Sequence, residues 1–247
     1  MVAEMKYVVT VMMLLWSGAA AAAPAATPRG QTVVLDPGHN GQNFRNAAKI
    51  NRLVDIGTKK KACNTTGTTS LGGLAEAQYN WDVALLTKAR LEDAGVTVVL
   101  TRPSNDGWGP CIDQRARIAN DNHAAALISI HADGGPASGR GFAVLRPKLV
   151  KGLTDNTVGP SATLASMLVK SMADTTGTSP STYLGSKGIV VSSDYGTLNL
   201  SKVPAVIVET ANMRSAKDSA LVSTQAFQEN VAEAITEATL EFLAASA

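Results

Sequence analysis

Apolar residues fall into two patterns along the chain: short unbroken runs, and longer stretches with apolar positions three to four residues apart. The runs at Thr32 to Asp36, Val96 to Thr101, Ala125 to Ile130, Gly141 to Leu145 and Val203 to Val208 are short and mostly apolar, so each predicts a strand. The last is interrupted only early, by Pro204. Helical spacing takes over between them. From Leu74 onward Ala77, Trp81, Ala84 and Leu85 share one face, and Gly95 supplies a stop just past Asp93 and Ala94. Ile112 to Asn122 predicts a second helix. Pro160 opens a third, with Leu164, Leu168 and Met172 aligned, and Phe227, Val231, Ala234, Ala238 and Phe242 line a long C-terminal helix. Strands separated by helices predict an α/β sandwich with a mostly parallel or mixed sheet flanked by helices.

At 247 residues the chain fits one large domain, and no internal repeat or Pro/Ser-rich linker follows residue 30. Residues 27–247 are therefore expected to form a single domain without an appended wall-binding module. Ahead of it, Met1 to Lys6, the apolar run Tyr7 to Trp16 and the alanine-rich block ending near Ala26 have the layout of a secretory signal peptide, although Glu4 departs from the usual basic start. That run is short for a membrane span, so residues 1–26 are expected to be a leader cleaved between Ala22 and Ala26, with no stable membrane insertion afterwards. The destination is secreted: periplasm or cell wall. A net charge of +2 gives no strong field for nucleic acid, so no nucleic-acid partner is expected, and nothing in the pattern requires more than a monomer. Cys63 and Cys111 are the only cysteines. An even count in an exported chain favours a disulfide over two thiols, and neither residue sits in a CxxC pair that would suggest metal binding.

The chemistry-bearing candidates cluster near element ends. Thr32 to Asp36 delivers the turn Pro37-Gly38-His39-Asn40, Glu76 opens the first helix, and His131 follows the third strand. Two imidazoles and one carboxylate, with a fourth position left to water, form a common catalytic zinc set. Each residue alone has a plainer reading: a histidine in a glycine-flanked turn is commonly a surface or hydrogen-bonding residue, and Glu76 also suits the positive end of a helix dipole. Asp36 and Asp133 are placed to orient an imidazole through its second nitrogen, while Asp36 equally suits an Asx-type turn. His123 matches no ligand position.

The segments VVLDPGHNG (33–41), GGLAEAQYN (72–80), RARIANDNHAAALISIHAD (115–133) and VPAVIVET (203–210) together resemble the zinc-dependent N-acetylmuramoyl-L-alanine amidases, the type-three amidase family. The resemblance implies a single α/β domain with a six-stranded sheet, and zinc held by His39, Glu76 and His131. It implies that Glu209 is the catalytic acid/base, since burial at the end of an apolar strand raises a carboxyl's pKa and suits it to carrying a proton. Without it, Glu209 reads as a strand-end carboxylate in a structural hydrogen bond. Arg115 and Asn120 match the family's helix pattern and are expected to serve packing and capping. The implied activity is hydrolysis of the amide between N-acetylmuramic acid and L-alanine in peptidoglycan, biased toward soluble fragments if no second module tethers the enzyme to the wall. Two rival readings are a zinc peptidase acting on the stem peptide and a non-catalytic peptidoglycan-binding regulator. Intact His39, Glu76, His131 and Glu209 argue against the regulator.

Two departures from the family pattern stand out. Thr210 to Arg214 replaces the Gly-Phe and Asn that follow the catalytic Glu in many relatives, which alters the pocket wall. The polar stretch Asn40 to Gly73, a long loop or small hairpin, contains an insertion. Because it leaves from His39 and returns at Glu76, its middle should overhang the metal. A Cys63 to Cys111 bridge would pin it to the domain body and stabilise the fold by about 2 to 4 kcal/mol, leaving the Lys59 to Lys61 end to move and to steer an acidic stem peptide. The plainer alternative is a solvated loop with two unrelated buried thiols.

Overall fold

The computed structural model describes residues 1–2 and 30–246, so the leader expected at 1–26 lies, from residue 3 on, outside the described residues. The expected runs form strands β1 (Thr32–Pro37), β4 (Thr97–Leu100), β5 (Ala126–Asp133), β6 (Ala143–Pro147) and β8 (Ala205–Asn212). The expected helices are α2 (Glu76–Asp93), α3 (Ile112–Asp121), α4 (Val158–Thr175) and α7 (Gln225–Ala245). Gly95, at φ 84, ends α2 in the left-handed conformation that a Cβ would oppose. The Thr224 hydroxyl caps α7 by accepting from the Phe227 N–H. The polar stretch after β1 folds into a 3-10 turn (Asn43–Arg45), a short helix α1 (Ala47–Ile50) and a hairpin, β2 (Leu53–Asp55) against β3 (Lys60–Ala62). Three further elements complete the chain: β7 (Ile189–Ser192), α5 (Gly196–Asn199) and α6 (Ala216–Val222).

The main sheet has six strands in the order β4-β1-β5-β8-β6-β7. The first four are mutually parallel, β6 is antiparallel to β8, and β7 is parallel to β6, which makes the sheet mixed. This is a six-stranded α/β sandwich, as the sequence and the resemblance imply.

The period-two alternation of the strands divides the core unequally. On one face Val33, Leu35, Ile128, Ile130, Val206 and Val208 pack under α2, α4 and α7 with Tyr79, Leu164, Leu168, Val231 and Phe242. Each such fully buried side chain contributes about 1.5 to 3 kcal/mol relative to exposure, so this thick face dominates the hydrophobic stabilisation. The other face carries a small core of Val34, Leu127, Leu145, Ala205 and Ile207, covered by Ala119 of α3 and Leu198 of α5. By the same alternation Asp36, Ser129, His131 and Glu209 belong to this second face. Polar side chains therefore appear where the helical cover is thin, at the carboxyl ends of β1, β5 and β8, the position where parallel sheets leave room for a ligand.

Cys63 and Cys111 are joined by a disulfide across a sequence separation of 48. The Ile112 N–H donates to the Cys63 carbonyl at 2.8 Å, and the Asn64 side chain donates to the Pro110 carbonyl at 2.8 Å, so the bridge lies in a wider seam between the Asn40 to Gly73 stretch and the start of α3. The Lys59 to Lys61 end is also anchored. Lys61 Nζ donates to the Asp194 carbonyl, and the Thr58 hydroxyl to the Ser193 carbonyl, both at 2.9 Å.

Candidate metal centre

His39 leaves β1 at φ 59, a left-handed backbone that a non-glycine residue adopts at a cost of about 1 to 2 kcal/mol. Two buried arginines hold this turn in place. Arg115 is ion-paired with Asp36 and donates to the Pro37 carbonyl at 2.9 Å and the His39 carbonyl at 2.7 Å. Arg102 donates to the Pro37 carbonyl and, from α2, the Ala77 carbonyl, both at 2.9 Å. Burial, with Arg115 alongside, pushes the Arg102 guanidinium down to about 9. Burial alone would push the Asp36 carboxyl up, but Arg115 together with the Ser129 and Thr101 hydroxyls holds it below its ordinary value. The packing-and-capping role expected of Arg115 thus understates it. Asn120 does act as a tie, donating to the Leu200 carbonyl at 3.0 Å and accepting from the Lys202 N–H at 2.7 Å.

His131 lies inside β5 rather than past it, and Glu209 inside β8 rather than at its end, the two directly paired in the parallel register. The strands run on because polar side chains facing a cleft leave the backbone ladder intact. Glu76 heads α2 and is almost wholly buried. Its Oε1 lies 3.0 Å from His39 Nε2 and 2.9 Å from His131 Nδ1, and the two rings meet edge to face with centroids 4.9 Å apart. Its Oε2 accepts from the Thr68 N–H at 2.9 Å. Burial pushes the Glu76 carboxyl up, but the two imidazoles outweigh it and hold it well below the ordinary range. One nitrogen from each histidine and one oxygen from Glu76 lie within 4.8 Å of one another, close enough to share a single metal ion. His123, at φ 47 and exposed on the far end of α3, takes no part.

The orienting groups differ from those expected by sequence proximity. Asp36 is engaged by Arg115, Thr101 and Ser129, and Asp133 accepts from the Tyr183 hydroxyl at 2.7 Å. His39 Nδ1 instead lies 3.1 Å from the Thr65 carbonyl oxygen. The Thr65 hydroxyl lies 3.2 Å from the same nitrogen, so Thr65 holds the ring through Nδ1 while Nε2 faces Glu76. Thr65 lies two residues beyond the bridged Cys63, which gives the Asn40 to Gly73 stretch a structural part in the centre.

Beside the cluster opens a cleft of about 400 Å³, lined among others by Thr65, Ile112, Asp133, Tyr195 and Glu209. Glu209 Oε2 is buried and finds no hydrogen-bond partner among the described residues. Burial, then the neighbouring Glu76 and Asp133 charges, push the Glu209 carboxyl well above the ordinary range.

A mixed α/β sheet whose parallel strands deliver a His-Glu-His cluster and an unpartnered carboxyl to one cleft is the layout of a metal-dependent hydrolase. Comparison narrows the class. The family described as N-acetylmuramoyl-L-alanine amidase matches residues 33–241, and the chain belongs to that family. The N-acetylmuramoyl-L-alanine amidase Rv3717 of Mycobacterium tuberculosis is 36% identical over 225 residues, covering 91% of each chain. The crystal structure of the amidase Ami1 of Mycobacterium smegmatis matches with a TM-score of 0.82 and 38% identity, covering 88% of this chain and 98% of that one. Ami1 of Mycobacterium abscessus gives 0.81 and 38%, over 87% and 99%.

Proposed function

We propose that the protein hydrolyses the amide between N-acetylmuramic acid and L-alanine in peptidoglycan, using one zinc ion held by His39, Glu76 and His131 and a proton carried by Glu209. The observation that carries this reading is the convergence of the three donor atoms beside a buried carboxyl whose Oε2 has no partner among the described residues. The donor set fits: two imidazoles and a carboxylate with an open fourth position are a hydrolytic zinc set, whereas a magnesium or calcium site would be built of oxygens. Bound zinc would supply a water of near-neutral pKa and a Lewis acid for the amide carbonyl.

The protein's own residues do the rest. Thr65 and Glu76 fix the imidazoles, and Arg115 and Arg102 fix the turn that presents His39. Glu209 takes a proton from the attacking water as its oxygen bonds to the lactyl carbonyl carbon, then delivers that proton to the alanine nitrogen as the C–N bond breaks. The products are a muramoyl carboxylic acid and a stem peptide with a free amino terminus. Such an enzyme works outside the cytoplasm, in the periplasm or cell wall, and among the described residues no helix is long and apolar enough to cross a membrane.

Mass spectrometry of muropeptide digests tests the reaction. The expected products are glycan and intact stem peptide; a shortened stem would assign a peptidase instead, and no product would assign a regulator. The metal site has its own test at Gly38, where a Cβ would lie 2.2 Å from His131 Cε1. Gly38→Ala must displace that ring and is expected to weaken metal affinity by about 10-fold or more, the scale of a disturbed ligand shell. Competition with a chromophoric chelator measures it, and an unchanged affinity would remove His131 from the site.

A further inference from the structure

One wall of the cleft carries a partly exposed ammonium, that of Lys61, which the reaction chemistry leaves unused. Lys61 of β3 lines the cleft, while its strand neighbour Lys60 is exposed. Lys61 Nζ donates to Asp194 at both the carbonyl oxygen, 2.9 Å, and Oδ2, 3.3 Å, and lies 5.3 Å from the centre of the Tyr195 ring. The other carboxylate oxygen, Oδ1, is taken by Lys59. Two ammonium groups thus share one carboxylate, which leaves one positive charge uncompensated. The Lys61 side chain remains 35% exposed, so it is open to a solute. The rest of the cleft has the opposite character: of its remaining acidic groups, Asp36 is paired with Arg115, while Glu76, Asp133 and Glu209 surround the metal cluster.

A substrate that fills this cleft should carry its own negative charge at the Lys61 wall. The chemistry of the amide says on which side of the scissile bond that charge lies. N-acetylated sugars are neutral, and the lactyl carboxyl of muramic acid is consumed in the amide, so the fixed anion closest to the bond belongs to the peptide. We propose that Lys61, with Tyr195 against it, is the subsite for the free carboxylate of an acidic residue following L-alanine, and that it sets the preference of the enzyme between stems with a free carboxylate and stems whose carboxylate is capped as an amide. The inference rests on the amidase reading above. An ammonium held at a partly desolvated wall makes a charge-assisted hydrogen bond to a carboxylate that it cannot make to a carboxamide.

The test compares kcat/KM on N-acetylmuramoyl-L-alanyl-D-glutamate peptides and on the same peptides with that carboxylate amidated. The wild-type enzyme is expected to favour the carboxylate about 10-fold at low ionic strength, less at high salt as screening grows. Lys61→Met should abolish this advantage, mainly through KM on the acidic substrate, while Lys60→Met should keep it. Asp194→Asn should widen it by freeing the Lys61 ammonium, an opposite sign that a merely structural tie would not give. A preference that survives Lys61→Met, or an equal loss on both substrates, would overturn the subsite. Equal wild-type rates on the two substrates would do so as well while leaving the amidase reading intact, whereas no muramoyl product from either substrate would sink that reading and the subsite with it.

Discussion

Glu209→Gln is expected to keep its metal and lose about 100-fold or more in turnover, the usual scale for removing a positioned acid/base. Gln has the shape of Glu but cannot hold the proton, and Glu209 is not among the three residues whose donor atoms converge. Metal retention and activity loss should therefore separate cleanly in this variant. Loss of metal would make Glu209 a ligand, and turnover within tenfold of wild type would assign the proton to another group. The same substitution has a second, independent signature in metal-free protein. Burial, then Glu76 and Asp133, raise the Glu209 pKa, so its ionised form is costly in the folded state. The stability it contributes is fully present below the ordinary carboxylate range and is lost as pH rises through its raised value. Stripped of metal, Glu209→Gln should accordingly become more stable than the wild type above that range.

Arg115→Met is expected to destabilise the protein by about 3 to 5 kcal/mol, the cost of leaving one partner of a buried ion pair uncompensated. Asp36 and Arg115 are 1% and 2% exposed at their side chains, so solvent cannot replace the lost charge. With Arg115 in place the Asp36 pKa is lowered, so its contribution is present above the unfolded carboxylate value and is lost as pH falls through the depressed folded value. Without Arg115, burial acts with less opposition and pushes the carboxyl up. The deficit of the variant should then be largest at neutral pH and shrink in acid as Asp36 takes up a proton. Urea unfolding with chelator in both samples measures this apart from metal loss. A deficit under about 1 kcal/mol, or one that grows in acid, would contradict the clamp on the His39 turn.

What the sequence made legible follows the strength of the local signal. Strands and long helices that bury one face write it in period two or in three-to-four spacing, and β1, β5, α4 and α7 appear where that pattern places them. β7 does not stand out, because Ile189–Ser192 is a short strand with no fully buried position and lacks a strong apolar rhythm. α5 and α6 span four and seven residues, too short for periodicity to register. β5 and β8 outlast their apolar runs because His131 and Glu209 face a cleft rather than a core. The three donor residues lie at 39, 76 and 131; their places at element ends offered them as a set, and the resemblance is what weighted them as ligands over their plainer readings.

The supporting shell was hidden for a different reason. Arg115 reaches Asp36 across 79 positions, and no spacing rule connects them. Arg102 lies just past the edge strand β4, after the buried Thr101, where a charged residue ordinarily faces solvent, so its burial left no mark in the pattern. His39 is held by the carbonyl and the hydroxyl of Thr65, 26 positions along the chain, and no spacing rule connects the two. Sequence proximity favoured Asp36 and Asp133 for that task, yet the fold turns both toward other partners.

The central claim is that one zinc ion on His39, Glu76 and His131 is required for cleavage of the lactyl-alanine amide. Zinc content and amide cleavage measured on the same purified sample, before and after chelation and after zinc is restored, test it most directly. About one zinc per chain, activity that falls with the metal, and recovery on readdition are the expected results. Full activity in protein shown to contain no zinc would contradict the account.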